Sequence, residues 1–282
     1  MSRPLRIQYP NALYHITVRG NHKKKIYQND SDNKLFLSIL QKAIFSRNIL
    51  CYAYCMMPNH FHLVIETPEA NLQYFMHDLD GIYTQAYNNK NDKVGHLFQG
   101  RYKSFLIEKE SYLLEVIRYT VLNPVRAGLV KYPEDWQWSS YRATIGLDKC
   151  SKWLYVDWLL EYFKSDKKQR KKEFVEFVHE GISERSPFEK AKSGNVLGSQ
   201  QFKDWCWEQT EDLFQNKEIS RHERIIGRPS LFQIFEYISE SDLRNKAMIF
   251  ARFCCGYSVV EIANYLKLSP SLVSRKTIRC SE

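Results

Sequence analysis

Two strand-forming runs separated by two residues restrict the fold of this chain more than any other feature. Leu50 to Met56 is continuously apolar, Phe61 to Glu66 alternates and carries β-branched residues, and Pro58-Asn59 lies between the runs. So short a break predicts neighbouring strands that pair antiparallel. In Met57-Pro58-Asn59-His60-Phe61-His62-Leu63-Val64-Ile65-Glu66, the two histidines are two positions apart. On a strand they point to one face. Two neutral imidazoles side by side can share a divalent cation and leave coordination positions for a substrate. Both are expected to be partly exposed. An ordinary strand with two surface histidines has the same pattern, so the rest of the chain must decide.

Leu13 to Val18 reads as a strand, ended by Arg19-Gly20-Asn21 and followed by the basic loop His22-Lys23-Lys24-Lys25. Beside a nucleic-acid site, Lys23 and Lys24 would meet phosphates. Asp30 or Ser31 can cap a helix that runs to about Ser46, and a second apolar stripe predicts a helix from Asn71 to about Asn89. Gly95-His96-Leu97-Phe98-Gln99-Gly100-Arg101-Tyr102-Lys103-Ser104 brings two glycines and the cations Arg101 and Lys103. Phe105 to Glu108 is a strand, and Ser111 to Leu122 a helix that Asn123-Pro124 interrupts. The order strand, helix, two strands, helix, strand, helix is not a repeated parallel unit. It fits an α+β domain with a small antiparallel sheet and helices on one side.

Charge points to the partner. Lys+Arg 41 against Asp+Glu 32 gives +9, a surplus that favours a polyanion such as nucleic acid. Seven scattered cysteines show neither a disulfide framework nor metal-ligand spacing, which suggests reduced thiols in the cytoplasm. The N-terminus lacks the apolar core of a signal peptide. No run is long enough to span a bilayer, so no membrane partner is expected.

Three regions are expected: a first domain over 1–147, a helical basic linker over 148–199 and a helical C-terminal domain over 200–282. An extension packed on the first domain is the alternative for 148–199. Ser258 can cap Val259 to Leu266, and Ser271 to Ile278 forms a last helix with Arg275 and Lys276. Two short helices around a tight turn, the second basic, read as a helix-turn-helix. Val260, Ile262, Ala263, Leu266, Leu268 and Val273 are its expected core.

Tyr119 and Asn123 are four apart and share one helical face. Packed against the sheet, they would add a phenol and an amide oxygen to the two imidazoles. That set suits Mg²⁺ or Mn²⁺ with a phosphate, and Tyr119 as covalent nucleophile. Arg101, Lys103 and Arg126 are the cations available to activate the phenol and hold the backbone.

Four ordered stretches carry a family resemblance. They are Arg19-Gly20-Asn21, Ala53 through His62, Gly95 through Ser104, and Arg118-Tyr119 through Gly128. Together they resemble the single-tyrosine HUH transposases, IS200-like, in the branch of the REP-associated tyrosine transposases. The resemblance implies an HUH, ferredoxin-like sheet domain. It also implies that His60, His62 and Asn123 bind the metal and that Tyr119 attacks. Members cut single-stranded DNA, become linked to the 5′ phosphate, free a 3′ hydroxyl and recognise hairpins. Arg19, Lys23, Lys24, Arg101, Lys103, Arg126, Arg275 and Lys276 are the expected DNA contacts. Oligomeric state, including a homodimer, stays open. Rival readings are a DNA-binding regulator with an idle nuclease site, and a metal-dependent hydrolase that uses water.

Overall fold

The computed structural model describes residues 7–163, 166–191, 195–214, 230–236, 238, 241–253, 255 and 257–277. The N-terminal residues 1–6, and Ile278 at the end of the expected last helix, lie outside them. The chain divides into two compact units, Gln8–Glu189 and Lys190–Glu282 with Met1–Ile7.

The first unit contains strand β1 (Ala12–Arg19), helix α1 (Asp30–Ser46), strands β2 (Leu50–Met57) and β3 (His60–Thr67), helix α2 (Leu72–Lys90), strand β4 (Lys103–Ile107), and helices α3 (Lys109–Val121) and α4 (Asn123–Arg126). The cap of α1 is Asn29, one residue before the expected ones. Its side-chain oxygen accepts from the amides of Ser31 and Asp32 and satisfies two orphan donors. Within this unit the strands lie in the order β2, β3, β1, β4, and each neighbouring pair is antiparallel. Met57 pairs with His60, so Pro58-Asn59 is the two-residue turn that the sequence indicated.

Register sets the two faces of the sheet. His62 lies opposite Cys55 on β2 and Thr17 on β1, and Thr17 lies opposite Lys103 on β4. His60 lies opposite Arg19, and His15 opposite Phe105. These residues share one face. Phe61 is on the other face, 4.8 Å from the Phe36 ring of α1, and Phe36 is 5.1 Å from Tyr83 of α2. That aromatic cluster is fully buried. Helix α3 lies on the histidine face, where Tyr119 meets His62. The expected one-sided arrangement of helices is therefore corrected: α1 and α2 cover one face and α3 the other. Both faces of β3 are apolar enough to need a cover.

The unit extends through Glu189, past residue 147. Helices α5 (Tyr141–Ile145), α6 (Val156–Leu160) and α7 (Lys167–Glu180) belong to it. The edge of β2 is occupied by this segment. Met56 N donates to Trp138 O at 2.8 Å, Ser140 N to Tyr54 O at 3.0 Å and Tyr155 N to Cys51 O at 2.8 Å. An edge covered in this way is closed to strand addition.

The second unit contains strand β5 (Val196–Leu197) and helices α8 (Gln200–Phe214), α9 (Leu231–Phe235), α10 (Ser241–Phe253), α11 (Val259–Leu266) and α12 (Pro270–Lys276). Ser258 caps α11 in a capping box with Glu261. Ala247, Met248, Ala251, Ile262, Ala263 and Val273 form its buried core, with Val259, Leu266 and Leu268 packed against them. Val260, expected in that core, is 55% exposed. The cap fixes the helix phase so that Val259, one residue earlier, faces inward. Among the described residues, no helix is long and apolar enough to cross a membrane.

Candidate active site

The site is built on the turn after β2. Gly20 N donates to Asn59 O at 2.8 Å, Asn21 N to Leu97 O at 2.8 Å and Gln99 N to Arg19 O at 2.8 Å. Three motifs far apart in sequence thus meet beside His60. Gly20 is required here because a Cβ would sit 2.2 Å from Lys24 O and 2.8 Å from Ile26 Cγ2. Gly20→Ala should cost about 1–3 kcal/mol, since backbone must move. Urea unfolding checks this, and an unchanged midpoint would mean that the loop yields freely.

His60 and His62 are side by side, with ring centroids 5.0 Å apart. His60 is partly exposed, but His62 is only 6% exposed. The expectation that both are partly exposed fails for His62. It sits on a central strand, with the rings of His15 and Tyr119 at 5.2 and 6.2 Å. Asn59 fixes the proton of His60. Its amide nitrogen donates to Lys23 O at 3.0 Å, and its oxygen lies 2.7 Å from His60 Nδ1. An amide oxygen only accepts, so Nδ1 carries the proton and Nε2 a lone pair.

His15 was not singled out from the sequence. It is 2% exposed, and its Nε2 lies 3.1 Å from His62 Nδ1. Phe188 stacks on it at 4.5 Å, and the Tyr119 ring meets it edge-on at 5.9 Å. The polar parity of β1, with His15, Thr17 and Arg19 on one face and Tyr14, Ile16 and Val18 on the other, was the available signal.

Burial holds these imidazoles neutral. It lowers His15 to about 3. Burial and then Arg19 lower His60 to about 4. Burial, followed by His15 and His60, pushes His62 well below the ordinary 6.5. Above about pH 6.5 folded and unfolded chains are equally uncharged at these sites, and stability is full. Below it the unfolded chain takes up protons that the folded one refuses. Stability should then fall as the pH drops towards 4 and 3, by up to about 1.4 kcal/mol per pH unit for each histidine. Urea midpoints of the metal-free protein should be level from pH 7 to 8 and fall between pH 6 and 4. A midpoint level down to pH 4 would contradict the burial argument.

Tyr119 is partly exposed near the end of α3. The Arg126 guanidinium lies 4.9 Å above its ring, and Phe188 lies 5.1 Å from it. Arg126 also donates to Gly181 O and Glu184 O, each at 3.2 Å, and Arg118 pairs with Glu184. The turn at 181–184 therefore steadies both arginines that flank the tyrosine. Asn123 donates its amide nitrogen to Tyr119 O at 2.9 Å and Thr120 O at 3.2 Å. These bonds use the amide nitrogen and do not involve its oxygen. Among the described residues, no three His, Cys, Asp or Glu side chains form a metal-type cluster.

The cations fall into separate groups. Arg19 and Lys103 are exposed on the histidine face, one opposite His60 and the other opposite Thr17. Lys24, Lys25, Lys93 and His96 line a cleft of about 430 Å³ together with Asn21. Lys23 is exposed, and its carbonyl holds Asn59. Arg101 is exposed. Arg275 and Lys276 are exposed on α12 of the other unit.

Residues 8–121 match the family model described as Transposase IS200 like. The chain is 26% identical over 145 residues to a Haemophilus influenzae protein assigned as a REP-associated tyrosine transposase. That match covers 48% of this chain and 82% of the relative. A solved REP-associated tyrosine transposase bound to a REP hairpin aligns at TM-score 0.46 and 19% identity, over 52% of this chain and 86% of that one. A Deinococcus radiodurans structure assigned as a transposase aligns at TM-score 0.31 and 16% identity, over 42% of this chain and 95% of that one. Over residues 8–121 the chain is thus similar to the IS200-like transposases, and over about half its length distantly similar to a REP-associated tyrosine transposase.

Proposed function

We propose that residues 8–189 cleave and rejoin single-stranded DNA at a hairpin, with Tyr119 as nucleophile and His60, His62 and Asn123 as ligands of Mg²⁺ or Mn²⁺. The observation that carries this reading is the edge-on approach of the Tyr119 ring to His62 at 6.2 Å, with His60 beside it. The donor set fits a cation. His60 Nδ1 and His62 Nδ1 are both engaged, and His62 Nε2 is buried without a partner. Neutral rings meet no proton competition near pH 7. A bound cation would polarise the phosphate and stabilise the leaving oxygen.

Tyr119 Oη gives up its proton to solvent and forms a bond to phosphorus as the bond between phosphorus and the 3′ oxygen breaks. The 5′ phosphate is then carried on the protein, and the 3′ oxygen leaves as a hydroxyl after taking up a proton. The reverse attack rejoins the strand, and the phosphodiester energy is kept without a nucleotide cofactor. A phenol with an ordinary pKa of about 10 needs a nearby positive charge, and Arg126 supplies one. Arg19, Lys103 and the cleft at Lys24 and Lys93 offer phosphate contacts. In the second unit, α11 and α12 act as a helix-turn-helix whose Arg275 and Lys276 meet duplex backbone.

A denaturing gel tests the reading. Hairpin DNA with a single-stranded flank and Mn²⁺ should give a covalent protein–DNA band. Cleavage without the band would support the water hydrolase, and binding without cleavage the regulator. Truncation before Ser220 should weaken hairpin binding yet spare cleavage of a bound strand. Arg275→Ala should lower the salt slope of binding by about one unit. Unchanged affinity and slope in these variants would remove the helix-turn-helix from the proposal.

A further inference from the structure

We propose that His15 is a positioning residue that holds His62 in the form protonated on Nδ1, so that Nε2 presents a lone pair to a cation. This rests on the metal reading above.

His15 and His62 share one hydrogen bond, between His15 Nε2 and His62 Nδ1 at 3.1 Å. Both rings are buried, at 2% and 6% exposure. A charged ring at either place would lose its hydration with no acid beside it, so each carries one proton. Two arrangements remain. In one, His62 Nδ1–H donates to His15 Nε2, and the remaining proton is on His15 Nδ1. In the other, His15 Nε2–H donates, and the remaining proton is on His62 Nε2. Both outer nitrogens, His15 Nδ1 and His62 Nε2, are buried without a partner. The protein alone therefore leaves one N–H stranded either way. Only the first arrangement leaves His62 Nε2 able to bind a cation, and in it His15 must accept.

The neighbouring histidine follows the same design. Asn59 accepts from His60 Nδ1 and turns its Nε2 lone pair outward. The two ligands thus have two different anchors, an amide oxygen and an imidazole nitrogen. Anchors of this kind orient the ring and raise its basicity. His15 is itself held in place, stacked on Phe188 at 4.5 Å and tilted against Phe105 at 6.4 Å. An apolar residue could fill that space, but it would leave His62 Nδ1–H without an acceptor whenever Nε2 is ligated. An unmet buried donor carries a substantial penalty.

The test uses the full chain, free of DNA. Mn²⁺ binding is titrated by electron paramagnetic resonance for wild type, His15→Phe and His15→Gln. Glutamine can return an acceptor at a similar reach, whereas phenylalanine cannot. His15→Phe should bind Mn²⁺ about 10–100-fold more weakly, and His15→Gln should recover most of that loss. A purely structural role for His15 would lower the melting temperature of both variants without this ordering. In wild type saturated with Mg²⁺, two-bond ¹H–¹⁵N spectra should show the His62 proton on Nδ1. This second measurement decides the matter even if His15→Phe does not fold. Equal Mn²⁺ affinity of a folded His15→Phe and wild type, or a His62 protonated on Nε2 in the Mg²⁺-saturated protein, would overturn the proposal. Wild type that binds no Mn²⁺ would overturn the metal reading, and this inference with it.

Discussion

Tyr119→Phe is expected to reduce DNA cleavage to background while leaving the fold intact. In the proposed reaction the hydroxyl supplies the atom that bonds to phosphorus, and loss of a nucleophile removes several orders of magnitude of rate. The ring itself is retained. Its edge-on contacts with His15 and His62, at 5.9 and 6.2 Å, and its place under Arg126 need only the aromatic carbons. Phenylalanine has nearly the same volume, so thermal melting should shift little. Hairpin binding should persist, because the proposed phosphate contacts lie on other residues. Mass spectrometry of the trapped wild-type complex should place the nucleotide on the peptide carrying Tyr119. Tyr83, Tyr87 and Tyr141 are poor rivals because each is fully buried in the core. A nucleotide on another tyrosine, or a Tyr119→Phe protein that still forms the adduct, would sink the assignment.

The strand pairing and the placing of His60 beside His62 were legible in the sequence, and the reason is local geometry. A two-residue break between two strand patterns leaves few pairings, and the period of two puts His60 and His62 on one face. Residue spacing also put Asn123 one turn after Tyr119, where its amide nitrogen bonds Tyr119 O. The choice of Tyr119 as the proposed nucleophile among 18 tyrosines came from the family resemblance, because spacing alone does not distinguish a packing tyrosine from a reacting one. His15 was missed because the sequence of β1 does not reveal that it lies two strand positions from Thr17, the register partner of His62. The pairing of Thr17 with His62 brings it beside the site. Phe188 was out of reach for a different reason. Its contacts with His15, Phe105 and Tyr119 depend on tertiary packing of a turn far along the chain.

His60→Ala and His62→Ala should both abolish metal-dependent cleavage, yet they should differ in what happens to the fold. Each removes one of the two imidazoles, and a pair reduced to one cannot hold a labile cation at the same site. His60 is partly exposed at the start of β3, and its loss strips the Asn59 hydrogen bond and the edge-on contact with His62. Its stability cost should stay within about 1 kcal/mol. His62 is buried between two aromatic neighbours and shares a hydrogen bond with His15. Its removal opens a cavity and strands His15 Nε2, so the cost should reach about 2–4 kcal/mol. For a unit of this size that corresponds to roughly 5–15 °C in melting temperature. Calorimetry of the metal-free variants separates the two effects from ligand loss. Equal melting temperatures would mean that the packing around His62 relaxes freely. Full cleavage by either variant, or by wild type in excess chelator, would remove the histidine pair from the chemistry altogether.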